Sequence, residues 1–231
     1  MRLFPAAVLA LLAAALPSRA EEAPPAEKPV VEQLDATRFR IGQLTFDRKT
    51  REIRLPAVVN QADGLLEFAL VQRQGKVHES LLATDVSPVQ LNVAFKLLRY
   101  PASPGQQFDD AGGKPAAAVP GSRLDLAVEW RDGDRPRRAA LREWILYDVT
   151  GEAMPDGAWI YGGGENAQGE FLPGSHGDVI AIFSGNPALM YYEGKDRGND
   201  EVWRPFAKRM PAVGTPVTVL LTPRPEPLPP P

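Results

Sequence analysis

Cysteine is absent from all 231 residues. That excludes disulfides, thiol catalysis, Cys-ligated zinc and a thiolate-held iron–sulfur cluster. Only two histidines are present, so a three-histidine metal site cannot be built within one chain. There is no basic excess: 26 Lys and Arg stand against 29 Asp and Glu, for a net charge of −3. A general nucleic-acid binder is thereby disfavoured, because counterion release from phosphates needs clustered basic residues. Beyond the N-terminal segment, no apolar run approaches the roughly 20 residues that a spanning helix requires. What the chain does have is proline, 24 of them, with 20 glycines and an ordinary 44% of apolar residues.

The N-terminus reads as an export signal. Arg2 is a short positive region, Ala6–Leu16 is an uncharged apolar stretch of eleven residues, and Ser18 and Ala20 are small residues preceding a cut before Glu21. Residues 1–20 are therefore expected to be removed, and the remainder to be periplasmic or secreted with no transmembrane segment. Losing Arg2 and Arg19 takes the basic count from 26 to 24 against 29 acidic residues, a net of −5. Residues 21–35 read as a disordered Pro-rich leader. The ten residues 222–231 hold six prolines and read as a disordered tail.

Residues 36–221 are then the folded domain, with 13 prolines spread through it, which favours strands and turns over long helices. The expected fold class is mainly β or α+β, an antiparallel β-rich single domain with one amphipathic helix. Arg38–Asp47 alternates, Ile53–Val59 (with Pro56) reads as an edge strand, and Leu65–Val71 as a dense apolar strand. Leu124–Trp130 and Arg138–Tyr147 flank an Asp132-Gly133-Asp134 turn. Ala158–Tyr161, Val179–Ser184 and Val217–Leu221 add further strands. The helix begins at Ser87-Pro88-Val89-Gln90, where an N-cap serine, a proline at the first position and a Gln three residues on make a capping box. It should run to Tyr100, with Val89, Val93, Leu97 and Tyr100 on its apolar face, joined by Leu91, Ala94, Phe95 and Leu98.

Few constellations carry chemistry. His78-Glu79-Ser80 follows a turn; on a strand His78 and Ser80 would share a face and Glu79 the opposite one. His176 sits in the Gly174-Ser175-His176-Gly177-Asp178 loop. His78, Glu79, His176 and Asp178 together would suit zinc, provided the two segments meet. Ser80 or Ser175 can be combined with either histidine into a triad on paper, but no G-x-S-x-G elbow is present. Gly162–Ala167 matches G-x-G-x-x-A yet is followed by Gln168-Gly-Glu-Phe-Leu-Pro-Gly174, which cannot open the helix a dinucleotide site needs. Asp196–Glu201 lacks the spacing of a calcium loop. The aromatics Trp130, Trp144, Trp159, Trp203, Tyr161, Tyr191 and Tyr192 are either core or the lining of a groove.

Three stretches resemble the YdjY domain: Ile53-Arg-Leu-Pro-Ala-Val-Val-Asn60, Gly64-Leu-Leu-Glu67 and Gly75-Lys-Val-His-Glu-Ser-Leu-Leu82. Trp159-Ile-Tyr-Gly-Gly163, Gly177-Asp-Val-Ile180 and Asn186-Pro-Ala-Leu189 are similar to its second half. The resemblance spans about residues 40–195. It implies an exported bacterial domain without an established activity, and it points to Asn60, Glu67, His78 and Glu79 without assigning roles. Some members carry a ferredoxin-like label, which a chain with no cysteine does not fit. Together with Trp159 and Asp178, those four residues make the candidate ligand-binding set.

The leading reading is a cofactor-free, non-catalytic binding or interaction module of the cell envelope. Its partner would be an unknown envelope protein or a small ligand. The alternative is a metal-dependent hydrolase, with a divalent transition metal such as zinc on His78, Glu79, His176 and Asp178. A passive structural module is the third.

Overall fold

The structure, a computed structural model, describes residues 29–107, 114–165 and 168–225. The expected signal segment 1–20 lies outside the described residues. The strands are β1 (Val31–Gln33), β2 (Arg38–Ile41), β3 (Leu44–Asp47), β4 (Ile53–Val59), β5 (Phe68–Gln72) and β6 (Ser80–Thr84). Helix α1 (Pro88–Leu97) follows, then β7 (Arg123–Asp132), β8 (Arg135–Ala140), β9 (Ile145–Tyr147), β10 (Glu152–Ala153) and β11 (Trp159–Tyr161). The short helix α2 (Leu172–His176) precedes β12 (Asp178–Ala181), β13 (Met190–Tyr192), β14 (Trp203–Pro205) and β15 (Pro216–Pro223).

Eight strands close into a barrel in the order β4-β15-β7-β11-β13-β12-β5-β6, with β6 returning to β4 through Val58↔Ala83 and Val59↔Leu82. The β1-β2-β3 meander extends from β4, and β8 forms a hairpin with β7. A separate sheet, β10-β9-β14, packs Trp203 against Tyr147 with ring centroids 5.0 Å apart. Most neighbours are antiparallel, but β5–β6 and β12–β13 are parallel. The strands at those pairs are buried on both faces, which is why Leu65–Val71 reads as densely apolar, broken only by Glu67. The strand itself starts later, at Phe68.

Pro56 is not on an edge strand. β4 lies inside the barrel, bonded to β15 along its length and on its other side first to β3 and then to β6. Pro56 occupies the gap between those two partners, where its missing N–H breaks no ladder bond. Its carbonyl accepts from Thr84 Oγ1 at 2.6 Å. The ordered chain is also longer than expected at both ends. Val31–Gln33 of the expected leader pairs with β2, and Thr222 and Pro223 of the expected tail pair with β7. Backbone pairing outweighed the polar, Pro-rich composition there.

Helix α1 is capped as expected at its start, Ser87 Oγ accepting from the Val89 N–H at 3.2 Å. The Gln90 amide lies over Gly42 instead of closing the box. The buried face is Leu91, Ala94, Phe95 and Leu98, whereas Val89 and Leu97 are exposed. The helix also ends three residues early, because Arg99 turns into the left-handed region at φ 57°. Arg51 closes this end: its Nε donates to the Leu98 carbonyl at 3.2 Å and its guanidinium lies 3.9 Å from the Tyr100 ring centroid. Phe95 stacks on Tyr161 of β11 at 4.3 Å, and the buried Tyr161 hydroxyl meets Asn92 Oδ1 at 2.5 Å. The helix is thereby pinned to the barrel wall.

Two variants test these points by chemical denaturation. Leu82→Ala, at the closing pair, should cost about 2–5 kcal/mol, and Ser87→Ala about 1 kcal/mol. Equal losses would show that barrel closure is no more demanding than the helix cap.

Candidate functional site

A parallel neighbour must be reached by a crossover, and here both crossovers are short. Residues 73–79 join β5 to β6, and residues 182–189 join β12 to β13. They meet over a small apolar patch of Phe68, Val71, Ala181, Ala188 and Tyr191, against which Val77 packs. Gly75 allows the close approach: a Cβ there would lie 3.0 Å from the His176 carbonyl oxygen. Gly177, at φ 78°, ends α2 and lets its carbonyl accept from the Gln72 N–H at 2.7 Å.

The first crossover holds a single 3-10 turn at Val77–Glu79 rather than a strand. The expected strand alternation therefore does not apply, and Glu79 turns inward while His78 is 74% exposed. Asn60 fixes this turn, its Nδ2 donating to the carbonyls of Val77 at 2.5 Å and Ser80 at 2.7 Å. Asn60 is accordingly a positioning residue.

Three carboxylates converge beside the turn. Glu67 precedes β5, Glu79 ends the 3-10 turn and Asp178 opens β12. Lys76 reaches among them, its Nζ 3.8 Å from Glu67 Oε2 and 3.9 Å from Glu79 Oε2. The same ammonium donates to Asn186 Oδ1 at 3.0 Å and lies 5.5 Å from the Phe68 ring centroid. Asn186 Nδ2 donates in turn to Glu67 Oε2. One polar chain thus runs from the first crossover through Asn186 of the second to the base of β5.

The electrostatics are those of a partly desolvated acidic site. Burial pushes the Glu67 carboxyl above its usual range, the Asn186 hydrogen bond opposes this, and the adjacent Glu79 carboxylate adds to the rise. Asp178, only 1% exposed, is pushed up to about 6, chiefly by burial, against the pull of Lys76 and His176. Two oxygens in this group, Glu79 Oε2 and Asp178 Oδ1, are buried without a hydrogen-bond partner. Buried acceptors left unused are costly in a folded protein, and sites that meet a ligand are one place they occur.

The residues singled out from sequence divide as follows. Glu67, Glu79 and Asp178 come together, with His78 and His176 at the rim. His78 Nε2 is 3.3 Å from Glu79 Oε1, and His176 Nδ1 is 4.0 Å from Asp178 Oδ2. These are two separate pairs. Among the described residues, no group of three or more His, Cys, Asp and Glu is placed to hold a metal ion. Trp159 does not join the cluster: it is core, packed on Tyr192 with centroids 5.4 Å apart. Trp144, Trp203, Tyr161, Tyr191 and Tyr192 are buried as well, and of these seven aromatics only Trp130 on β7 is half-buried and reaches the surface. The paper triads do not assemble, since Ser80 donates to the Leu82 carbonyl and Ser175 to that of Leu172. His176 ends helix α2 rather than lying in an open loop.

Lys76 and Asn186 were not legible as site residues. Each lay inside a stretch quoted for the family resemblance, but only the fold shows that they touch across 110 positions of sequence.

A family model, the YdjY domain, matches residues 44–222. The match runs past residue 195 and takes in β15, as the barrel requires. No curated protein and no solved structure gives a match.

The raised Asp178 carboxyl has a signed consequence. Its proton is held more tightly folded than unfolded, so stability falls as pH rises from about 4 to about 6 and stays lower above that. Asp178→Asn should therefore match the parent chain near pH 4 and exceed it at pH 7, by on the order of 2–3 kcal/mol. Urea titrations of both chains at the two pH values measure the difference, and equal stabilities at pH 7 would contradict it.

Proposed function

The chain belongs to the YdjY domain family, and from that footing we propose that it is an exported, non-catalytic binding module of the cell envelope whose site is the carboxylate cluster of Glu67, Glu79 and Asp178. One observation carries the reading. Glu67 and Glu79 pair with a single lysine, the buried Asp178 lies within its electrostatic reach, and Glu79 Oε2 and Asp178 Oδ1 are buried without a hydrogen-bond partner. Lys76 is 44% exposed, so its long side chain can leave the cluster without unpacking the core. Such a site suits a ligand group rich in hydrogen-bond donors and positively charged, an organic ammonium or guanidinium on a small molecule or on a partner protein. The exposed His78 and His176 lie on the solvent side of Glu79 and Asp178 respectively. The export half of the proposal rests on the signal-like residues 1–20.

Thermal denaturation with spermidine, arginine amide, calcium or zinc tests the site. An organic cation at well above its dissociation constant should raise Tm by about 5 °C. Lys76→Met, which empties the centre of the cluster, should enlarge that rise, and Glu67→Gln should shrink it. A rise given by zinc alone, and lost in His78→Ala or His176→Ala, would favour the metal-dependent hydrolase. No rise with any of the four would sink the binding site.

A further inference from the structure

We propose that Lys76 and Asn186 form an intramolecular isopeptide bond, with Glu67 moving the proton, which staples the β5–β6 crossover to the β12–β13 crossover. The reacting groups are already in place. Lys76 Nζ lies 3.0 Å from Asn186 Oδ1, close to the carboxamide carbon it has to attack. Glu67 holds the nitrogen that must leave, through Asn186 Nδ2, and stands 3.8 Å from the nitrogen that attacks. Glu67 is in hydrogen-bond reach of the leaving nitrogen and in ion-pair range of the attacking one, so that a small approach of Lys76 lets one carboxylate serve the general acid–base steps of this exchange. Burial raises the basicity of Glu67, which helps it take the first proton. The Phe68 ring centroid lies 5.5 Å from the ammonium and Glu79 Oε2 lies 3.9 Å from it, so the lysine is held toward Asn186 from two further sides.

The step balances without any co-reactant. The Lys76 ammonium gives a proton to Glu67, and the neutral amine adds its lone pair to Asn186 Cγ. The Cγ–Nδ2 bond then breaks, its electron pair leaving with nitrogen; Glu67 returns its proton to that nitrogen, and the extra proton on the newly bonded Lys76 Nζ passes through Glu67 to the departing ammonia. One ammonium and one carboxamide become a secondary amide and an ammonium ion. The usual competing loss of ammonia from asparagine, attack by the next backbone nitrogen, is closed here because residue 187 is proline and has no N–H. Joining the two side chains also removes the cation from among the three carboxylates. The acidic site proposed above would gain by this, but the bond does not depend on it.

Intact mass of the mature chain, held at about pH 9 to supply free amine, reads the outcome directly. The folded chain should weigh one ammonia less than its sequence, and digestion should yield a branched peptide joining Lys76 to Asn186. Lys76→Arg and Asn186→Ala should keep their full sequence mass. Glu67→Gln, checked for folding by circular dichroism, should form the bond at least about tenfold more slowly. Full mass in the folded parent chain, with Lys76 and Asn186 on separate peptides, would overturn the proposal. So would an ammonia loss mapped to any other residue. An unchanged rate in Glu67→Gln would overturn the role given to Glu67.

Discussion

A strand that must lie parallel to the one before it sends the chain back over the sheet, and this protein does so twice with fewer than ten residues each time. Crossovers of that length have no room for a helix of their own. They lie flat on the outer wall of the barrel, and their polar side chains are forced together. The patch of Phe68, Val71, Ala181 and Tyr191 beneath them anchors both. The site is therefore a by-product of topology: the barrel closes as it does because β5 and β6, and β12 and β13, run the same way, and the connections between them carry the polar groups.

Most of the architecture was legible. Alternation marked Arg38–Asp47, which the structure folds at Gly42 into the two strands β2 and β3; Leu124–Trp130 and Val217–Leu221 read as strands, as β7 and β15 are, and the Ser87-Pro88 start placed α1 to the residue. What misled was local preference overridden from a distance. Pro56 reads as an edge residue, yet a change of strand partner gives its missing N–H a place to sit. Val89 and Leu97 read as core on helical spacing, yet the barrel contacts the neighbouring stripe of Leu91, Ala94 and Phe95. Val31–Gln33 reads as leader, yet β2 offers it an open edge.

The site was half legible. Glu67, Glu79 and Asp178 drew attention as acids in suggestive company, but the reason they matter is burial, which sequence does not display. Lys76 is one of seven lysines and Asn186 one of five asparagines, and nothing sets them apart until the two crossovers overlap. Conversely Trp159 looked like a ligand platform only because aromatics on strands serve walls and grooves alike.

Barrels remove their own edges, but the hairpin of β8 on β7 creates a new one, since among the described residues β8 has no second neighbour. That free edge reads Arg135-Pro136-Arg137-Arg138 and is exposed throughout those four residues. A second copy trying to add its own strand there would bring arginine alongside arginine and meet a proline with no N–H to offer. Arginine charge and the missing proline N–H thereby disfavour the addition of a strand at this edge.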